Sequence, residues 1–291
     1  MQAFHSFWSA PHYIRNNHHI KIPDYELLTL MLSALKWKQL NGPIKMITDS
    51  AGAAFFIENG FEDLWSEPID TSLDGLDDYI DPFLFWAAGK LYALGRISCP
   101  CVMLDTDMII WQDINDLFQQ DVVAAHAESL SGDVYPETDV FQMRQGYIFP
   151  QEWNFSVDPV NTAFLYMRDP DLKDYYVKSA FMFMGALERA DVNPAVSMCF
   201  AEQRILPMCV AAQSRHIAYL LNVQNLYQQQ IVTHLWGYKS VLSKSQTERD
   251  SFCRKCIKRI LLEYPEWERV LANNMYIRRH LVKYKSGLIG R

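Results

Sequence analysis

The run Cys101-Val-Met-Leu-Asp105-Thr106-Asp107-Met-Ile-Ile-Trp111 constrains this chain more than any other segment. It sets two aspartates one residue apart inside an otherwise apolar stretch. A segment apolar on both sides of such a pair belongs in a sheet covered on both faces, where bare carboxylates are costly. Residues of equal parity on an extended strand point to one side, so Asp105 and Asp107 are expected to reach a common partner. A divalent cation offsets their charge, and hard oxygen ligands select Mn²⁺ or Mg²⁺. The competing reading is a β-turn, with Asp and Thr chosen for turn chemistry.

Around this run, apolar segments alternate between strand-like and helix-like patterns. Strands are expected at 3–9, 44–48, 101–104, 122–125, 160–167 and 231–236. An amphipathic helix is expected over 24–40, opened by Pro23 and stopped by Asn41-Gly42-Pro43. Further helices are expected to end at Glu58, to begin at Pro82, and to cover 172–189, 194–203, 248–262 and 266–285. Alternation of this kind predicts an α/β sandwich with a largely parallel sheet, whose ligands sit beyond the carboxyl ends of the strands. Between 128 and 154 periodicity fails, with Gly132, Pro136, Gly146 and Pro150 as punctuation, which predicts a functional loop or lid.

Charge divides the chain. Of its net −7, residues from Lys239 onward hold 13 Lys and Arg against 5 Asp and Glu, leaving +8 there and −15 before it. The expectation is an acidic catalytic body over 1–242 and a basic helical extension over 243–291. Arg254, Lys255, Lys258, Arg259, Arg278, Arg279, Lys283 and Lys285 stand among Tyr264, Trp267, Tyr276 and Tyr284. That mixture suits peripheral contact with an anionic membrane, or equally a solvated face of helices packed on the body. Nucleic acid is not an expected partner of so acidic a body. Six cysteines are too few for a disulfide scaffold, and Cys253-x-x-Cys256 lacks a second ligand pair at finger spacing. With no signal-peptide pattern and no apolar run of about 18 residues, a cytoplasmic location is expected, at most peripheral on the inner membrane face.

Leu104-Asp105-Thr106-Asp107 resembles the D-x-D signature of nucleotide-sugar-dependent glycosyltransferases of the GT-A fold, and three further segments follow in the order those enzymes use. Asn161-Thr-Ala163 is similar to the N-x-G strand of family 8 enzymes, with Ala163 in place of Gly. Glu202-Gln203-Arg204 resembles the D-Q-D segment. His234-x-x-Gly237-x-Lys239 resembles the H-x-x-G-x-K segment, and with it the likeness to family 8 and family 32 enzymes covers roughly residues 1–240. The resemblance implies Mn²⁺ held by Asp105, Asp107 and His234, with Gly237 and Lys239 at the diphosphate. It implies Glu202, Gln203 and Asn161 at the donor sugar and acceptor hydroxyl. Trp8, Ser9, Thr48 and Asp49, at strand ends, are candidates for the base and ribose, although Trp8 also reads as core. Lys90 is a candidate for phosphate, although an ordinary surface lysine is the other reading.

The implied function is transfer of a sugar from a nucleotide sugar such as a UDP-sugar to a glycan or lipid-linked acceptor; the resemblance favours retention, while Glu202 equally suits an inverting base. A negatively charged group stabilises an oxocarbenium-like transition state, and an acceptor hydroxyl needs a hydrogen-bonding or basic partner. Two alternatives remain open: a nucleotidyltransferase of similar fold, and a degenerate transferase that only binds carbohydrate. The first predicts a Gly-rich basic loop after the first strand, which Phe7-Trp-Ser-Ala-Pro-His-Tyr lacks. The second leaves a buried aspartate pair without a cause.

Overall fold

The computed structural model describes residues 1–289 except 131, 132, 191, 192 and 227. Gly132 lies outside the described residues. The strands are β1 (Gln2–Phe7), β2 (Ile44–Thr48), β3 (Cys101–Leu104), β4 (Met108–Ile110), β5 (Val122–Ala127), β6 (Phe141–Met143), β7 (Val160–Met167), β8 (Leu187–Ala190), β9 (Ile217–Tyr219) and β10 (Val232–His234). Six of them form the central sheet in the order β2-β1-β3-β7-β5-β9. β7 runs antiparallel to both neighbours while the other pairs are parallel, so the sheet is largely parallel with one reversed strand. Short ribbons β4·β10 and β6·β8 stand beside it.

Strand side chains alternate between two cores. Ala3, Val102, Leu104, Val123, Ala125, Phe164 and Tyr166 enter one cluster, and Phe4, Cys101, Met103, Val122, Ala124, Leu165 and Met167 the other. This period-2 division of near-continuous apolar strands is what a sheet covered on both faces requires. α1 (Ala10–Arg15) follows β1, and over the first core lie α2 (Asp24–Leu40) and α3 (Ser50–Glu58). The second is covered by α4 (Ala88–Arg96), α5 (Pro170–Ala186) and the continuous helix of α6 (Pro194–Cys199), a π-helical turn (Phe200–Arg204) and α7 (Ile205–Ala212). That composite helix is the one described element long and apolar enough to cross a membrane, but 72% of its 18-residue window is buried in the protein's own core.

The C-terminal helices are α8 (Tyr238–Lys244), α9 (Gln246–Glu263), α10 (Glu268–Asn273) and α11 (Arg278–Ile289). Cys253, Cys256, Ile257, Ile260, Trp267, Leu271, Ile277 and Leu281 share one cluster with α2 and the sheet. This explains a departure from expectation: α2 is buried nearly all round rather than amphipathic, because α9 packs on the side that would face water. Asp24, at the start of α2, accepts hydrogen bonds from Arg249 (2.6 Å), Arg279 (2.6 Å) and His280 (2.7 Å). Lys36 pairs with Glu263. Tyr264 and Trp267 face the core, so the exposed basic face of α9 lacks the aromatics that suggested membrane contact.

Other boundaries shift for local reasons. The helix expected from Pro82 begins at Ala88, because residues 81–87 form turns in which Asp81 accepts from the Phe83 amide at 2.8 Å. The irregular 128–154 segment contains β6, and Phe149 and Trp153 fasten it against Phe183 and Phe200 or Phe155. The last helical stretch divides at Asn274, whose side chain accepts from the amides of Tyr276 and Ile277, rather than at Pro265 alone.

Candidate active site

The chain leaves the central sheet at Leu104 and enters the β4 ribbon at Met108, so Asp105-Thr106-Asp107 is a turn between two sheets. This corrects the extended-strand geometry expected for the pair. The Asp105 amide donates to Ala163 O at 2.7 Å, anchoring the turn to β7, and Met108 N donates to Asp105 O at 3.1 Å. The carboxylates converge all the same. The β4·β10 ribbon sets His234 opposite Met108, and the Leu235 amide donates to Asp107 O at 3.1 Å. Ligand-type atoms of Asp105, Asp107 and His234 therefore lie within 4.8 Å of one another, with His234 Nε2 3.6 Å from Asp107 Oδ1.

Two carboxylates and one imidazole make a donor set that fits Mn²⁺ or Mg²⁺. Burial lowers the pKa of His234 although Asp107 and Asp105 pull it upward, which leaves the imidazole neutral at pH 7, the form that ligates metals. Burial alone would raise the pKa of Asp107, yet Lys239 and His234 hold it below the ordinary carboxylate value.

These groups open onto a cavity of about 450 Å³ at the carboxyl end of the parallel strands. Trp8, Lys90, Asp105, Thr106, Asp107, Asn161, Glu202, Gln203, His234 and Lys239 line it. Lys90 is no surface lysine: its ammonium lies 2.7 Å from Asp105 Oδ1 and 2.5 Å from Glu202 Oε1. Burial opposes its charge, but Asp105 and Glu202 more than offset that and hold its pKa above the ordinary lysine value. Lys239 Nζ is 2.9 Å from Asp107 Oδ2, and its pKa is raised in the same way, burial being outweighed by Asp107 and Glu26. Thr162 donates to Glu202 Oε1, Tyr176 donates to Glu202 O at 2.7 Å, and Tyr135 donates to Gln203 Oε1 at 2.5 Å. Asn161, at the start of β7, is turned by the Ala163 amide, which donates to its Oδ1 at 3.1 Å.

The π-helical turn carries Glu202 and Gln203. Its wide ring is closed by the Ile205 amide donating to Phe200 O. Single π turns inside α-helices recur at functional sites because they displace side chains from the α-helical register.

Four candidates do not line the cavity. Ser9, Thr48 and Asp49 form a hydrogen-bonded corner behind it. Ser9 N and Oγ both donate to Asp49 Oδ2 at 2.8 Å, Gly52 N donates to Asp49 Oδ1 at 2.7 Å, and Thr48 Oγ1 donates to Phe7 O at 2.5 Å. Asp49 is the N-cap of α3, which gives it a structural cause. Gly237 sits just outside, and a Cβ there would meet nothing within 4 Å.

The cavity also draws on residues that spacing did not single out. His12, Arg15 and Trp86 line one wall, with the Arg15 guanidinium 5.5 Å from the Trp86 ring centroid. Trp236 lines another. Glu26 lies 3.8 Å from Lys239. In the sequence Glu26 reads as an ordinary acid in the first turn of a helix, and Trp86 as part of a turn. A second cluster of ligand-type side chains, Asp24, Cys253 and His280, is already neutralised by the two arginines on Asp24.

A family model matches residues 1–273. The chain belongs to DUF6734, a family of unknown function. No curated protein matches it. Among solved structures, it is similar to apo mouse xyloside xylosyltransferase 1, at 12% identity over 80% of this chain and 97% of that one, with a TM-score of 0.41. It is also similar to the glycosyltransferase GlyE of Streptococcus pneumoniae, at 15% identity over 84% of this chain and 49% of that one, with a TM-score of 0.41. The galactosyltransferase LgtC with donor and acceptor sugar analogues matches at 10% identity over 75% and 73%, with a TM-score of 0.35.

Proposed function

We propose that this protein is a metal-dependent glycosyltransferase that takes a nucleotide-sugar donor and passes the sugar to a glycan or lipid-linked acceptor. The observation that carries the reading is the convergence of Asp105, Asp107 and His234 at a cavity also lined by Lys90, Lys239, Glu202, Gln203 and Asn161. Charge supports it. Arg15, Lys90 and Lys239 balance Asp105, Asp107 and Glu202 within the lining, so a bound divalent ion would leave a surplus of two positive charges, matched to a diphosphate.

Asp105, Asp107 and His234 would hold Mn²⁺ or Mg²⁺, and the ion would supply Lewis-acid stabilisation of the departing diphosphate. Lys239 adds a point charge beside that group. Glu202 is fixed by Lys90 and Thr162, and so presents a stationary negative charge toward the sugar face. Gln203, held by Tyr135, and Asn161 orient sugar hydroxyls. The indole faces of Trp8, Trp86 and Trp236 suit the apolar faces of a base or sugar.

A donor screen tests this: purified protein, Mn²⁺ and a panel of nucleotide sugars, read by thermal shift and by slow donor hydrolysis. A UDP-sugar is expected to shift the melt and to be hydrolysed only with the ion present. No response from any nucleotide sugar, or full turnover in EDTA, overturns the reading.

A further inference from the structure

Both lysines at the site are bound in the same pattern. Lys90 Nζ touches Asp105 at 2.7 Å and Glu202 at 2.5 Å, and Lys239 Nζ touches Asp107 at 2.9 Å and lies 3.8 Å from Glu26 Oε2. Each ammonium bridges one aspartate of the ligand cluster to one glutamate outside it. Neither glutamate belongs to the ligand cluster, and Glu26's one ion pair among the described residues is with Lys239.

This pattern solves a problem that any cation meets at the site. An ion and an ammonium compete for the same carboxylate and repel each other at close range. Displacing a lysine from a partly buried pair strands its charge unless another anion is at hand. Here a second anion is at hand for each lysine.

Resting on the metal-site reading above, we infer that Glu26 and Glu202 are seats to which Lys239 and Lys90 withdraw when a divalent ion takes Asp107 and Asp105. Glu26 is thereby a positioning residue: it contacts neither ion nor donor, and it acts by relieving Asp107 of Lys239. The two glutamates make the exchange reversible, because the ammoniums return to the aspartates when the ion leaves.

Titration with Mn²⁺ alone, followed by the electron paramagnetic resonance signal of the free ion, tests the inference. Glu26→Gln, Lys239→Gln and the double variant are compared with the wild type, and thermal melts without metal check that each is folded. Lys239→Gln is expected to tighten Mn²⁺ binding about threefold to fivefold, and Glu26→Gln to weaken it by a similar factor, the scale of one partly exposed ion pair. In the Lys239→Gln background, Glu26→Gln should weaken binding clearly less, since no ammonium is left to reseat. A Glu26→Gln effect that is absent, or equal in both backgrounds, overturns the inference while leaving the metal site intact. Should Glu26→Gln not fold, Lys239→Gln decides alone, and unchanged or weaker binding overturns the inference. Failure of the wild type to bind Mn²⁺ overturns the metal site and this inference together.

Discussion

Replacing Asp24 with Asn should cost far more stability than its place at the start of a helix suggests. Its carboxylate is 2% exposed and gathers Arg249, Arg279 and His280, so one side chain ties α2 to α9 and α11. Removing one partner of a buried ion pair costs about 3–5 kcal/mol. Arg249 and Arg279 are 27% and 47% exposed and rehydrate in part, but His280 is 1% exposed and cannot. The discounted loss is about 2–3 kcal/mol, or roughly 3–5 °C in melting temperature for a chain of this size. Acid should reproduce the effect. Burial alone would raise the Asp24 pKa, yet hydrogen bonds from His280, Arg249 and Arg279 hold it below the ordinary value of 3.8. A carboxylate depressed in the folded state contributes fully well above its unfolded value of 3.8, and the contribution is lost progressively as pH falls from there through the lower folded-state value. Circular-dichroism melts of wild type and Asp24→Asn from pH 7 down to pH 3 measure both claims. A difference under about 2 °C at pH 7, or one that does not shrink below pH 4, would refute the reasoning.

His234→Ala should weaken Mn²⁺ affinity roughly 10–100-fold with the β4·β10 ribbon retained, which metal titration and circular dichroism check together. Glu202→Gln should lower turnover far more than the few-fold loss of affinity expected from unseating Lys90, because a fixed charge matters most in the transition state; a loss of affinity alone would make it a positioning residue. Deleting residues 245–291 should leave an insoluble chain. The deleted helices bury at least six large apolar side chains at about 1.5–3 kcal/mol each, a loss as large as the whole ~5–15 kcal/mol that holds most domains folded. A soluble, cooperatively melting truncation would show that the basic helices form a separate appendage.

Long apolar segments made the sheet readable. β2, β3 and β7 stand where strand patterning put them, and α2 ends at Asn41-Gly42-Pro43 as its stop signals require. Short strands such as β4 and β9 carry too few residues for periodicity to register. The candidate site divided along the same line. Asp105, Asp107 and His234 were legible because carboxylates and imidazole beside apolar strands ask for a cause. The joint contacts of Lys90 with Asp105 and Glu202 join residues far apart in the chain, and no local pattern encodes them. Ser9, Thr48 and Asp49 misled because a hydrogen-bonded corner and a helix cap use the same residue types at the same strand ends as a nucleotide site does.

The π-helical turn at Phe200–Arg204 makes the site sensitive to length as well as to chemistry. A π turn holds one residue more than the α-helical ring it replaces, so the helix before it and the helix after it are out of phase by one position. Deleting a single residue between 200 and 204 would let the segment close as ordinary α-helix with α7 kept in place, because the turn winds its extra residue into nearly the same rotation, and the change would fall on Glu202 and Gln203. Ile205, Leu206, Met208 and Cys209 are fully buried on α7, so a deletion beyond Arg204, which no π turn absorbs, would instead rotate the residues after it by about 100° and misplace a wall of the second core. Loss of one residue within the turn should therefore spare the fold and cost the site, whereas loss of one residue from α7 should cost the fold.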